Sequence, residues 1–269
     1  LHLRELARTP DPAKLIDAMD WISITAFDEM TGRPPGDLLE ELAEGARERL
    51  EGIPMGRERI EALSHYLFEE CGFRGNREGY YEPENSYLHC VLERRLGIPI
   101  TLSVVYMDVG RRLGMNFAGV SFPYHFLVRS LDCEDVFIDP FHNGALMTLQ
   151  DCRHLLVQLS GGAIDFQPRF IKPVSELELL VRVLRNLKLV HLKAENLECA
   201  IHAIDLILTI VPEAWGEVRD RGLLHLQMSH PKTAIEDLEA YLEARPEAED
   251  RMRLEHILRQ ARALSLEYN

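Results

Sequence analysis

At 269 residues, 46% hydrophobic and 28% charged, the chain is large enough for one large domain or two smaller ones, and its net charge of −14 argues against general binding to DNA or RNA, which needs clustered Lys and Arg. No apolar run approaches the roughly 18 residues of a membrane span, and LHLRELARTPDPAK at the start lacks a signal-peptide apolar segment, so no membrane partner is expected. Five scattered cysteines (Cys71, Cys90, Cys133, Cys152 and Cys199), odd in number and without a CxxC, fit free thiols in a reducing cytoplasm rather than bridges or a zinc site.

Residues 11–72 read as helices. Asp11 is a plausible N-cap with Pro12 at the first position, and Leu15, Ile16, Met19 and Ile22 recur with helical period. TGRPPGD is a turn, and residues 38–50 and 57–71 follow as amphipathic helices. Trp21 and Phe27 read as core anchors, and the mixed-sign run ELAEGARERLE as a solvated face. The loop GFRGNREGYYEPENSY (residues 72–87) is dense in Gly and aromatic residues. Tyr80, Tyr81 and Asn85 in it either line a cleft or pack the loop down, and Asn85 or Ser86 can cap the next helix, which carries Cys90.

Residues 97–141 read as a helix followed by three short strands. Within 101–113 the apolar positions 102, 105, 106, 109 and 113 share one face, Pro99 fits the first turn, and Gly114 fits the stop. Residues 117–122, 125–130 and 136–139 have strand composition, punctuated by Pro123 and the acidic LDCED loop. A hairpin turning about Asp132 puts His125 opposite Asp139 at its open end, where cross-strand side chains interact. Such a pair either orients an imidazole for proton transfer or merely closes a sheet edge. Tyr124, beside His125, is a further cleft-lining candidate.

After IDPF, HNG marks a tight turn, and Thr148 with Asp151 predicts a capped helix to residue 159. His142 has only His125 and His154 nearby and no HxH or HxxxH pair, so neither a metal site nor any other cofactor is expected. Residues 160–174 read as a linker. Beyond it the chain repeats with a shift of 34: Leu189 meets Leu223, Ala200 meets Ala234, Ile204 meets Leu238 and Pro212 meets Pro246. That period, with small residues such as Gly222 and Ala234 and a closing Pro, is the tetratricopeptide signature; residues 254–266 would form a capping helix.

A helix ending in RxLG, a strand opening with His and a strand ending in Asp-Pro resemble the transglutaminase-like core. More narrowly, NSYLHCVLERRLGIPITLSVVYMDVGRRLG, FPYHFLVR and IDPF resemble the bacterial SirB branch of that superfamily. The resemblance implies an α+β chain: an N-terminal helical region (1–75), a papain-like core of helix plus antiparallel sheet (76–165) and tetratricopeptide-like repeats (175–269). In active members a Cys at the start of the core helix is the nucleophile, activated by His and Asp, and His125 and Asp139 match the latter two. No Cys lies between Gly97 and Gly114; aligning Leu102-Ser103 with the family's aromatic–small pair implies a Cys position near Pro99, which offers neither nucleophile nor N–H, whereas a shorter helix puts Thr101 or Ser103 there.

Two function classes follow. One is a protein- or peptide-binding module that uses the repeats and the core cleft around a degenerate site. The other is an acyl-transfer hydrolase or amidase in which His125 is the base, Asp139 orients it, and Ser103, Thr101 or Cys90 is the nucleophile. Cys90, flanked by Leu88, Val91 and Leu92, also reads as a buried, inert thiol.

Overall fold

The computed structural model describes residue 3, residues 11–26 and residues 33–267; the expectation for Phe27 lies outside them. The chain divides into two compact units, Leu1–Val183 and Leu184–Asn269.

In the first unit, α1 (Pro12–Ala26), α2 (Pro35–Arg49) and α3 (Arg57–His65) precede the core, and α3 runs on into a π turn, Tyr66–Glu70. Leu15, Ile16, Met19 and Ile22 of α1 are buried as their period requires, and Trp21 is half-buried. A short parallel pair, β1 (Arg74–Gly75) with β2 (Leu96–Gly97), brackets the loop and α4 (Leu88–Arg94).

The core helix α5 (Pro99–Arg112) starts at Pro99, whose missing N–H belongs to a turn that has no intrahelical acceptor anyway. Thr101 closes that turn, its Oγ1 accepting from the Ile98 N–H at 3.2 Å. The sequence predicts one apolar stripe, but α5 is buried nearly all round, from Pro99 to Tyr106 and again from Asp108 to Gly110. Its polar groups are therefore partnered. Asp108 accepts from Arg111 at 2.7 Å and Arg112 at 2.6 Å, and the Tyr106 hydroxyl meets Ser64 at 3.0 Å and donates to Ile60 O at 3.2 Å.

Four strands then form an antiparallel meander: β3 (Phe117–Val120), β4 (Leu127–Ser130), β5 (Phe137–Asp139) and β6 (Ala145–Met147). β6 was not anticipated; its three residues are too few to show alternation. The β4–β5 register pairs Val128 with Ile138 and Arg129 with Phe137, so the hairpin turns about Cys133 rather than Asp132. The slip is two residues, which preserves the face each side chain occupies.

α5 packs against β3, β4 and the turn after β5. Elsewhere on the sheet, α6 (Leu149–Ser160) brings Cys152 and Leu156 to Val120, Phe122, Leu127 and Phe137. Its N-terminus carries the expected box, Thr148 Oγ1 accepting from the Asp151 N–H and Asp151 from the Thr148 N–H. Residues 160–174, read as a linker, pack on this layer instead: Ile164, Phe166, Phe170 and Ile171 join the same cluster, and Pro173 bridges to Val120 at the sheet edge. Apolar residues spread among Gly, Pro and polar neighbours give no period, so nothing in the stretch itself signals an element.

α7 (Glu176–Lys193) leads into the second unit, followed by α8 (Leu197–Ile210), α9 (Trp215–Gln227), α10 (Pro231–Ala244) and α11 (Arg251–Glu267). α8 and α10 are displaced by 34 residues at both ends, which matches the repeat read from the sequence. Ala200, Ile204, Ala234 and Leu238 are fully buried. Ion pairs tie the helices together: Arg221 chelates Asp237 at 2.6 and 2.8 Å and reaches Asp205 at 2.6 Å, while Glu217 accepts from Arg185 and Lys188. No helix among the described residues is long and apolar enough to cross a membrane.

Gly222 sets the α9–α10 crossing, because a Cβ there would lie 2.9 Å from Leu238 Cγ. Overpacking of this kind costs about 1–3 kcal/mol, and a β-branched side chain recovers little of it through helix propensity. Gly222→Val should therefore lower the unfolding free energy of the intact chain by about that amount in a urea titration. An unchanged midpoint would show that the crossing has room.

Candidate functional site

The site is assembled by a six-residue run, DPFHNG. Asp139 ends β5, and Pro140 starts a 3-10 turn, Pro140–His142. Asn143 and Gly144, both with positive φ, turn the chain into β6. Asp139 caps the turn, its Oδ1 accepting from the N–H groups of Phe141 at 3.1 Å and His142 at 3.2 Å. Its other oxygen faces two imidazoles: Oδ2 lies 2.8 Å from His125 Nε2 and 2.7 Å from His142 Nδ1. His125 and Asp139 are buried, whereas the His142 side chain is 43% exposed.

His125 precedes β4 and reaches Asp139 diagonally rather than from the directly opposed position, which falls on residue 127 in the observed register. Its backbone is fixed from both sides. The His125 N–H donates to Phe122 O, and Arg182 donates to His125 O at 3.3 Å and to Ser121 Oγ at 2.8 Å. Tyr124 just before it has φ +59 and is 66% exposed, so its ring stands out beside the site.

The 72–87 loop reaches the site through aromatic edges. Tyr80 packs edge-on to Phe141 with centroids 5.9 Å apart, and Tyr81 packs edge-on to Tyr80. Phe141 in turn touches both imidazole rings. Asn85 is fully buried and ties the loop down, donating to Gly79 O at 2.7 Å and accepting from Asn76 at 3.1 Å. It caps no helix; Tyr87 occupies that position without a side-chain bond. Gly75 lies so close that a Cβ would sit 2.7 Å from Phe141 O, so β1 holds the turn from behind.

None of the three candidate nucleophiles hydrogen-bonds to His125 among the described residues. Ser103 is fully buried and donates to Pro99 O at 2.7 Å, one turn back along α5. Thr101 is also fully buried and donates to Asn85 O at 2.7 Å, joining the loop to the core helix. Cys90 lies on α4, half-buried, with its Sγ 3.1 Å from His89 Nε2. Burial, reinforced by Glu84 and Glu93, pushes its thiol up to about 11. The reactive thiolate is thereby disfavoured at neutral pH.

Histidine spacing argues against His142 as a ligand, yet the structure sets its ring on the Asp139 carboxylate. The signal was present in Asp-Pro at a cap position, which sets the third residue after Asp139 over its carboxylate. Screening for HxH spacing misses a cluster made by one local turn and one strand start. His154, by contrast, stays apart with Gln150. Among the described residues, His125, Asp139 and His142 are the group whose donor atoms could hold a metal ion, all lying within 4.8 Å of one another.

Comparisons with known proteins follow the same division. The transglutaminase-like superfamily profile matches residues 36–185, and a tetratricopeptide repeat profile matches residues 187–259. The chain belongs to the transglutaminase-like superfamily, with tetratricopeptide repeats after that domain. Within it, the bacterial relatives are UPF0162 proteins. One from Xylella fastidiosa is 39% identical over 213 residues, covering 78% of this chain and 76% of the relative. Another, from Pseudomonas aeruginosa, is 30% identical over 247 residues, covering 91% and 89%. The mouse F-box only protein 21 is 40% identical over 108 residues, 37% of this chain and 17% of that protein. No solved structure matches.

Burial opposes ionisation of Asp139, but hydrogen bonds from His125 and then His142, with their charge, hold its carboxyl well below the usual carboxylate range. A carboxyl depressed in the folded state contributes stability that is present above its unfolded pKa of about 3.9 and is lost as pH falls through the folded value. Asp139→Asn should cost about 1–3 kcal/mol at pH 7, and the difference from wild type should shrink below about pH 4. Urea denaturation of both proteins from pH 7 downward checks this, and parallel curves would mean that the ionised carboxylate contributes nothing.

Proposed function

We propose that the protein is a protein-binding module in which the transglutaminase-like unit serves as a scaffold with a degenerate Cys-His-Asp site. A transglutaminase-like domain joined to tetratricopeptide repeats fits a protein-binding role, since such repeats generally mediate protein–protein contacts. What carries the degenerate reading is the state of the candidate nucleophiles: the Ser103 and Thr101 hydroxyls are fully buried and engaged by backbone carbonyls. A hydroxyl nucleophile needs an adjacent base, and both of these donate elsewhere. Pro99, at the start of the core helix, contributes no N–H to an oxyanion hole. The partner in this reading is a protein or peptide, and free thiols at all five cysteines support a cytoplasmic setting. The helical region 1–75 and the core 76–165 then act together as the scaffold, with 175–269 as the binding arm.

The second reading, an acyl-transfer hydrolase or amidase, is favoured by one observation: a buried imidazole held by a carboxylate through Nε2, which leaves Nδ1 for proton transfer. Active-site labelling separates the two. Fluorophosphonate and iodoacetamide probes on the whole chain should give no labelling of Ser103, Thr101 or Cys90 that depends on His125. Modification of any of these that disappears in His125→Ala would establish the enzyme and overturn the scaffold reading.

A further inference from the structure

Asp139 and its two imidazoles do more than stabilise a turn. The three donor atoms, His125 Nε2, Asp139 Oδ2 and His142 Nδ1, converge from two chain segments and lie within 4.8 Å of one another. Two of the separations are 2.8 and 2.7 Å. In a tetrahedral site with bonds of about 2.0–2.1 Å, donor atoms stand about 3.3 Å apart. The protons that now bridge the two nitrogens to Oδ2 move to the other ring nitrogen of each neutral imidazole, and opening the cluster by about half an ångström at those two edges then replaces two hydrogen bonds with three metal bonds.

We propose that His125, Asp139 and His142 form a binding site for a divalent transition ion of the zinc class. The donor set is two imidazole nitrogens and one carboxylate oxygen, which suits zinc, cobalt or nickel and offers no thiolate for a softer ion. Second contacts fix the carboxylate as a ligand should be fixed. Oδ1 is held by the Phe141 and His142 N–H groups, which leaves Oδ2 aimed at the cluster. The His125 backbone is anchored by Phe122 and Arg182, so the buried imidazole is placed before any ion arrives. His142 stands at the exposed edge, its side chain 43% exposed, and so supplies the entry route.

The site is independent of the scaffold reading, because neither the repeats nor the missing nucleophile enters the argument, and the labelling experiment and a metal titration can fail separately. The test uses the whole chain, freed of metal by chelator and titrated with zinc chloride in a calorimeter. Cobalt(II) in parallel reports ligand type through its visible and near-ultraviolet bands. The expected result is one ion per chain, a cobalt spectrum without a thiolate band, and zinc-dependent protection against thermal unfolding. His142→Ala, at an exposed position, should keep the fold while weakening zinc at least tenfold and abolishing the protection. His125→Ala should do the same where it remains folded. The absence of saturable binding, equal affinity in His142→Ala, or a cobalt–thiolate band assigning the ion to the free cysteines would each overturn the site.

Discussion

The Asp139 carboxylate is the group on which the local architecture depends. It accepts four hydrogen bonds, two from the backbone of its own turn and two from imidazoles, one of them just ahead of β4. Burying an ionised carboxylate costs several kcal/mol in lost hydration, and a hydrogen bond to a charged group returns about 1.5–3. Four such bonds offset the burial, where one or two would not. The same bonds fix the start of β4 relative to the end of β5, and they hold the 3-10 turn against α5. Phe141, carried by that turn, then gives Tyr80 of the 72–87 loop a surface to pack on.

The parts of this arrangement legible in the sequence are those carried by periodicity. The buried α1 positions, the Thr148–Asp151 box, the Pro99 start of the core helix and the repeat of 34 residues all follow from spacing, and the structure has them. The His125–Asp139 meeting was also legible, although for a slightly wrong reason. Direct opposition about Asp132 was expected, whereas the hairpin turns about Cys133 and the two side chains meet along a diagonal. Strand parity survives a slip of two residues, so the correct face emerged from the wrong register. Residues 160–174 were illegible because they acquire their neighbours only after the chain has folded back to the sheet edge, whereas the Asp-Pro cap that sets His142 over Asp139 is local and carried a signal.

The second unit rests on different physics. Its crossings are set by small residues, and the faces between them are laced with charge: Arg219, Arg221, Lys188, Glu217, Asp220, Asp237 and Asp250 form connected pairs. Several of these are half-buried, so they gain more than surface pairs do, while removing one partner strands the other. Such a network specifies which helix faces meet, something apolar packing between near-identical helices leaves degenerate. A repeat of two units needs that specification, because each helix pair resembles its neighbour.

A buried, oriented His–Asp pair is the part of the site that most invites a catalytic reading, yet the pair has a sufficient structural reason to exist. Removing Asp139 would leave His125 Nε2 and two backbone N–H groups inside the protein without acceptors, a loss that needs no reaction to explain it. Catalysis demands a further group that the pair itself cannot provide: a nucleophile next to the free imidazole nitrogen and donors for the oxyanion. At the start of α5, Pro99 has no N–H to donate, and the Thr101 and Ser103 hydroxyls donate to Asn85 O and Pro99 O. His142, absent from the catalytic scheme altogether, is the residue through which Asp139 and His125 reach solvent.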